Sequence, residues 1–256
     1  MLSLAAIPAE WMILPLLVVL VASLSGAHAI SAEPERVAAA RLARGEAVRE
    51  LCQAAGLGYP PHELFVRAFK DERVVEAWGR DRGLEYALIK SFPVTLKSGV
   101  PGPKRRKADG QIPEGFYHID AFNPNSRFHL SLRVSYPNAS DRILSDHEQP
   151  GGDIYIHGGA KSIGCLPLGD LAIEELYLLA LDVSGGRKEI VPVHIFPARM
   201  VGPSWDAFVE EHARNDPGLA AFWENLKIGY DRFERDHRVP KVTVDEKGWY
   251  VVRPGR

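Results

Sequence analysis

Cysteine is scarce in this 256-residue sequence: Cys52 and Cys165 are too few for a disulfide framework. No excess of one charge draws the chain to nucleic acid or to an anionic membrane surface, since 31 basic and 33 acidic side chains leave a formal net charge of −2. Neither H-E-x-x-H nor a paired C-x-x-C occurs, so the common zinc motifs are absent from the sequence. With 46% hydrophobic and 25% charged residues, we expect an ordinary globular protein.

Charged residues are also missing from Trp11 to Ala32, and this stretch contains an apolar core, Met12–Leu24. The core is shorter than the roughly 20 residues of a bilayer-spanning helix. Small residues at Ala27 and Ala29 suit a signal-peptidase cleavage site. We therefore predict that residues 1–29 are a signal peptide or an uncleaved N-terminal anchor. The rest of the chain is expected in the periplasm or cell envelope, with membrane contact only through an uncleaved N-terminal segment.

Hydrophobic periodicity divides the remaining chain into three parts. Residues 33–82 are predicted to be a helical N-terminal segment, with one helix over Glu33–Glu50 and a second from Pro60 to Trp78. From Leu84 the pattern changes to short β-like runs broken by glycine and proline. These runs are Leu84–Lys90, Val94–Lys97, Gly115–Ala121, Phe128–Val134, Asp153–Ile156 and Ile190–Phe196. The fold class is therefore predicted to be α+β, with a β-rich domain over 84–197.

The last part, residues 198–256, is predicted to be a helical and β C-terminal extension. Helical signals begin within the β-rich domain and continue into the extension, at Asp170–Leu181, Ser204–Arg214 and Leu219–Lys227. Lys241–Val252 has the pattern of a late hairpin or edge strand.

The densest glycine-rich polar segment is Ile154–Leu166, with the sequence IYIHGGAKSIGCL. A strand would carry His157 at its end, and the loop would return to place Cys165 just before the helix predicted from Asp170. Such a loop can bring imidazole and thiol together, so that a base activates a thiol nucleophile. A nearby helix N-terminus would add free N–H groups for an oxyanion, and Gly164 would let the backbone approach a substrate carbonyl. The alternative is a buried structural cysteine beside a histidine satisfied by the backbone.

The arrangement His157-Gly158…Ser162-x-Gly164-Cys165 resembles the signature of the L,D-transpeptidase catalytic domain of the YkuD type, a family of cysteine enzymes of bacterial peptidoglycan. The short gap and the Ser-Ile-Gly-Cys sequence are similar to the YafK-like branch. Most members have a longer gap and a histidine in place of the isoleucine. An arginine that commonly follows the cysteine is also missing here. Further segments support the branch in the family's order: Lys97–Lys104, Gln111–Tyr117, Tyr136–Arg142 and Val193–Pro197.

The resemblance implies a β-rich transpeptidase domain over 84–197, built as a mixed sheet or β-sandwich-like. It implies Cys165 as nucleophile and His157 as general base, with Ser162 and Gly164 shaping the catalytic loop. No metal or organic cofactor is implied, because the thiol and the imidazole suffice for this chemistry. The implied substrate is a peptidoglycan stem peptide that forms a thioester with the enzyme. An acceptor amine, on another stem or on an outer-membrane lipoprotein, then completes transfer. Water would instead complete hydrolysis, which makes a cysteine amide hydrolase the alternative function.

Four further residues are candidates for substrate binding: Lys104, Gln111, Glu114 and Gly158. Lys104 begins a run of four cations that can attract stem-peptide carboxylates. Gln111 and Glu114 flank a proline in the segment that resembles the family's substrate-side loop, and Gly158 belongs to the signature itself. The alternatives are a solvated charge run and simple turn geometry.

Other interpretations remain open at this point. A metallopeptidase could use His157, Cys165, His194 and Asp153 as zinc ligands. His194 alone, within a β-like run, has the pattern of a packed core histidine. A non-catalytic peptidoglycan-binding protein is a further possibility, although it would not require a thiol in the loop. Cys52 is expected to be buried, but an oxidising compartment could pair it with Cys165.

Overall fold

The computed structural model describes residues 33–185, 187 and 191–255, so the predicted signal segment over residues 1–29 lies outside the described residues. The described chain begins with helix α1, Glu35–Ala54, which confirms the first predicted helix. Its buried side consists of Val37, Ala40, Val48 and Cys52. None of the helices within the described ranges is both long and apolar enough to cross a membrane.

Eight strands of the described chain form one mixed sheet in the spatial order β3-β2-β1-β8-β4-β5-β6-β7. Their bounds are β1 Glu63–Phe69, β2 Val74–Arg80, β3 Ala87–Pro93, β4 Gly115–Ser126, β5 His129–Val134, β6 Tyr155–His157, β7 Leu166–Pro167 and β8 Pro192–Phe196. The β1·β8 and β6·β7 pairs are parallel, and the other pairs are antiparallel. The long strand β4 pairs first with β8 and then with β5, which lets one sheet curl. The predicted α+β class is confirmed.

The second predicted helix is wrong, because Pro60 to Trp78 contains the antiparallel strands β1 and β2. Six of the seven residues of β1 are buried, so the strand lacks the alternation of buried and exposed residues that marks a half-buried strand. A continuous apolar run cannot be distinguished from a buried helix by periodicity alone. The turn between the strands includes Arg73 at φ 54°. Both strands therefore belong to the same sheet as the strands predicted after residue 84.

Two smaller strand predictions also need correction. Residues 94–97 form no strand, because Val94 and Thr95 donate their backbone N–H groups to Arg73 and Pro167 in irregular pairings. The strand expected from Leu84 begins at Ala87. The runs predicted at β4, β5, β6 and β8 are confirmed as strands.

Helices cover both faces of the sheet, and a short helix, α2, Ala139–Leu144, lies between β5 and β6 along the chain. Leu64, Val66 and Ala68 of β1 point into a core shared with α1 and with α3, Asp170–Ser184. Phe69 points into a second, aromatic core shared with α4, Gly202–Ala213, and α5, Pro217–Asp236. This alternation follows from the period of two in a strand. The strands β9 Lys241–Val244 and β10 Tyr250–Arg253 form the predicted C-terminal hairpin.

Candidate active site

The strand register brings the two halves of the glycine-rich motif together. In the parallel pair β6·β7, Ile156 lies opposite Leu166 and His157 lies opposite Pro167. Ile156 and Leu166 are buried in the core. Because side chains alternate along strands, His157 and Cys165 point to the opposite face. The loop 158–164 thus returns the chain so that imidazole and thiol line one cleft, as predicted.

His157 is held in one orientation by its neighbours. Its Nδ1 lies 2.5 Å from the carbonyl oxygen of Gly158, and since a carbonyl can only accept, Nδ1 carries the proton and Nε2 is left as the basic nitrogen. The Phe128 ring stacks on the imidazole with a centroid distance of 4.7 Å. Burial lowers the pKa of His157 below its ordinary value, while the hydrogen bond to Gly158 opposes that shift. The imidazole is therefore neutral at neutral pH.

Cys165 is half-buried, and its Sγ lies 3.6 Å from the carbonyl oxygen of Asp153. Burial raises the pKa of the thiol above its ordinary value. The backbone N–H of Tyr155 opposes this rise, the negative charge of Asp153 adds to it, and the positive charge of Lys104 opposes it. The resting pair is therefore a thiol and a neutral imidazole in the same cleft, which suits removal of the proton by a base during attack.

Ser162 organises the loop before the cysteine. Its hydroxyl accepts hydrogen bonds from the backbone N–H groups of Cys165, at 2.8 Å, and Gly164, at 3.2 Å. It also donates to the carbonyl of Cys165 at 2.8 Å. One donor and two acceptor sites are all that a hydroxyl has. The predicted loop-shaping role of Ser162 is therefore carried by three hydrogen bonds.

The expected helix N-terminus beside the thiol is not what forms. Strand β7 follows Cys165 directly, and α3 begins only at Asp170. The N–H groups of Cys165 and Gly164 are engaged by Ser162, so they are not free for an oxyanion. Gly164 adopts φ 128°, and a Cβ there would lie 3.0 Å from the carbonyl oxygen of Gln111. Gly164 therefore allows close contact within the chain rather than the predicted approach to substrate.

The cleft has a volume of about 340 Å³. Its lining combines the candidate catalytic pair with polar side chains and the aromatic rings of a phenylalanine and a tyrosine: Asn123, Asn125, Ser126, Arg127, Phe128, Ser131, Asp153, Tyr155, His157 and Cys165. The β4–β5 turn thus forms one wall and the end of β6 the other. Sequence reasoning assigned no role to Arg127, Phe128 or Tyr155. The period of two in β6 could have identified Tyr155, since it lies two residues before His157.

Two of the predicted substrate-binding residues are structural. Glu114 is fully buried and accepts hydrogen bonds from Lys70 Nζ at 2.7 Å and Trp223 Nε1 at 2.8 Å. Lys104 is 4% exposed, and its Nζ donates to Asp109 at 2.6 Å. A buried charge needs such a partner. The prediction that these two side chains bind substrate is therefore corrected, although the charge of Lys104 still acts on the thiol pKa.

The other two predicted binding residues also make contacts within the chain. The side-chain carbonyl of Gln111 accepts from the backbone N–H of Val100 at 2.9 Å. A Cβ on Gly158 would lie 2.6 Å from a carboxylate oxygen of Asp170 and 2.7 Å from the carbonyl oxygen of Phe128. Glycine at 158 therefore allows the turn to pack and offers its carbonyl to His157. Neither residue is among those that line the cleft.

The rival zinc site is not assembled. His194 is buried on β8 between the rings of Phe65 and Phe116, at centroid distances of 4.6 and 4.7 Å. Across the described ranges, no group of three or more histidine, cysteine, aspartate or glutamate side chains has a metal-binding arrangement. Cys52 is a free cysteine on the buried side of α1, and Cys165 is a free cysteine in the cleft.

No protein-family model matches the chain. Over 193 residues the chain is 33% identical to the protein of Escherichia coli K12 described as "Putative L,D-transpeptidase YafK", which covers 75% of this chain and 74% of that protein. The corresponding protein of Escherichia coli O157:H7 has the same identity and coverage.

Two solved structures are similar at a lower level. The helical cell shape determining protein Pgp2 of Campylobacter jejuni has 18% identity and a TM-score of 0.43, covering 72% of this chain and 73% of that one. L,D-transpeptidase 1 of Mycobacterium tuberculosis has 15% identity and a TM-score of 0.30, covering 52% and 61%. On the sequence identity shared with YafK across three quarters of both proteins, the chain belongs to the L,D-transpeptidase family, in its YafK-like branch.

Proposed function

We propose that this protein is a cysteine L,D-transpeptidase that acts on peptidoglycan stem peptides in the periplasm or cell envelope. The observation that carries the proposal is the placement of Cys165 and His157 in one cleft, with Nδ1 of the imidazole committed to the Gly158 carbonyl and Nε2 left to act as base. Family membership supports the substrate class.

The chemistry follows from that pair. Nε2 of His157 removes the thiol proton as Sγ of Cys165 attacks the carbonyl at the L-centre of the stem peptide's diamino acid. The C–N bond breaks, the leaving amine takes the proton from His157, and a thioester remains on Cys165. An acceptor amine then gives up a proton to His157 and displaces the thiolate, which is reprotonated. The acceptor is an amine of another stem peptide or of an outer-membrane lipoprotein.

Hydrolysis is the second candidate, because water can replace the amine in the last step. The size of the cleft favours a small acceptor, since about 340 Å³ is near the lower end of the roughly 300–1,000 Å³ of ligand pockets. A cysteine amide hydrolase that cleaves stem-peptide or lipoprotein linkages would use the same acyl-enzyme.

The test is mass spectrometry of muropeptides incubated with the purified full-length chain, with and without a lipoprotein-derived amine. Joined products that require Cys165 would establish a transferase, and loss of existing linkages without joined products would establish the hydrolase. Cys165→Ala should abolish both outcomes. Cys52→Ala is the matched control, because it removes the other free thiol from the buried side of α1 and leaves the cleft unchanged. Turnover that persists in Cys165→Ala would refute the mechanism.

A further inference from the structure

The cleft is lined by few formally charged side chains, one of each sign. Among its ten lining residues, Arg127 carries the positive charge and Asp153 the negative charge. Arg127 is exposed at the turn between β4 and β5. Its guanidinium makes no hydrogen bond or ion pair with the residues that the structure describes. A cation at the cleft wall is thus available to a ligand.

The turn that carries Arg127 is held from outside the sheet. Arg36 of α1 donates from Nη1 to the carbonyl oxygens of Ser126, at 2.6 Å, and His129, at 2.8 Å. The Ser126 hydroxyl accepts from the backbone N–H of Phe128 at 3.0 Å. The backbone on both sides of Arg127 is therefore fixed before any ligand binds, which reduces the entropy lost on binding.

The same turn is also fixed relative to the catalytic base. Phe128, the next residue after Arg127, stacks on the His157 imidazole at a centroid distance of 4.7 Å, with 29° between the ring planes. A ligand group held by Arg127 would therefore lie at a defined place beside His157 and Cys165. This is the arrangement needed to orient a substrate for attack.

Lys161, in the loop between His157 and Cys165, is exposed but is not among the residues that line the cleft, and two other positions near the thiol offer no free cation. The residues after the cysteine provide no cation, and Leu166 and Leu168 there are buried. Lys104 is paired with Asp109. Peptidoglycan stem peptides carry carboxylates, and the forked donors of a guanidinium match a carboxylate in geometry and charge. We infer that Arg127 is the specificity-determining residue that binds a stem-peptide carboxylate in this cleft, an inference that rests on the proposed function.

The experiment measures binding in a full-length Cys165→Ala background, so that turnover does not interfere. The probes are a synthetic stem peptide with free carboxylates and the same peptide with its carboxylates amidated. Without further change, the charged peptide should bind about 10- to 100-fold more tightly than the amidated one, the range for a charge-assisted hydrogen-bonded contact. Arg127→Gln should remove this preference by weakening binding of the charged peptide alone, and Arg127→Lys should restore part of it.

Arg82→Gln is the matched control, because Arg82 is exposed in the β2–β3 turn at the opposite edge of the sheet. It should leave the preference unchanged. In the chain with Cys165 intact, Arg127→Gln should raise KM by a similar factor with kcat changed much less. Binding with a preference that survives Arg127→Gln, alongside Cys165-dependent turnover, would overturn this inference and leave the proposed function standing. If neither peptide binds and no Cys165-dependent turnover occurs, both are overturned.

Discussion

Two buried histidines on different strands of the same sheet, His157 on β6 and His194 on β8, have contrasting surroundings. His157 and His194 are 2% and 3% exposed, and burial lowers the pKa of both, to about 3 for His194. His194 is enclosed edge-to-face by Phe65 and Phe116. His157 has one aromatic neighbour, Phe128, and otherwise faces a cleft that contains a thiol. Burial and a lowered pKa therefore do not define a catalytic base, whereas access to a nucleophile and a substrate cleft does.

The largest expected difference between the two regions is in turnover. His157→Gln should lower kcat/KM by about 10²- to 10⁴-fold, the usual contribution of a general base, and should also lower the free energy of unfolding by about 1–3 kcal/mol, because the Gly158 hydrogen bond and the Phe128 stacking are lost. His194→Gln should leave the kinetics of the folded protein unchanged. It should lower the free energy of unfolding by about 1–3 kcal/mol, because a buried amide loses its hydration among aromatic rings. Steady-state kinetics and urea titration of both variants test this, and equal losses of activity would contradict the assignment.

The buried Lys70–Glu114 pair provides a second contrast between structural and cleft residues, because Glu114 was predicted to bind substrate. Both side chains are almost fully buried, and their charged atoms are 2.7 Å apart. Glu114→Gln should lower the free energy of unfolding by about 3–5 kcal/mol, because the Lys70 charge is left without a buried partner. KM of the remaining folded enzyme should stay the same.

The control for this pair is the exposed ion pair between Lys97 and Asp71, at 2.9 Å. Asp71→Asn should cost about 1 kcal/mol or less, as is usual for surface pairs. Chemical denaturation of both variants measures the difference. A large rise in KM without loss of stability in Glu114→Gln would restore the substrate-binding role.

The pH dependence of stability tests the buried state of His194. Because the pKa of His194 is lowered to about 3, the unfolded chain binds more protons than the folded chain below the ordinary value of 6.5. Its contribution to stability is thus complete above pH 6.5 and is lost as the pH falls toward 3. The slope should reach about 1.4 kcal/mol per pH unit from this residue. Urea titrations across that range should show a shallower slope in His194→Gln, and an unchanged slope would contradict the cause.

The smallest expected effect concerns the Phe128 ring, which stacks on the proposed general base His157. Phe128→Leu removes the stacking on His157 while keeping an apolar side chain, and should lower the free energy of unfolding by roughly 0.5–1.5 kcal/mol, the contribution of an aromatic pair, with a modest fall in kcat/KM because the imidazole is held less firmly. Better hydration of the imidazole should raise the pKa of His157, so the acid limb of the pH–rate profile should move to higher pH. A reduced rate with an unmoved acid limb would mean that Phe128 only supports the turn.

Several features of the site could be predicted from local sequence. The strand ending at His157, the glycine-rich return and Cys165 follow each other within eight residues, so short-range geometry nearly requires them to meet. The helix predicted over 60–78 failed because β1 is buried on both faces by partners that lie far along the chain. Glu114 was misassigned for a similar reason: Lys70 and Trp223, its partners, are 44 and 109 residues away.

The motif, its resemblance to a family and the α+β class are all present in the order of the residues, because hydrophobic period and local turn chemistry act over a few positions. Which polar groups are buried and paired, and which face the cleft, depends on the curled sheet and on α1. Arg36, 90 residues before the turn that it holds, is an example. Such contacts form only when distant segments pack, because the free energy of a buried charge is determined by neighbours that the sequence does not place beside it.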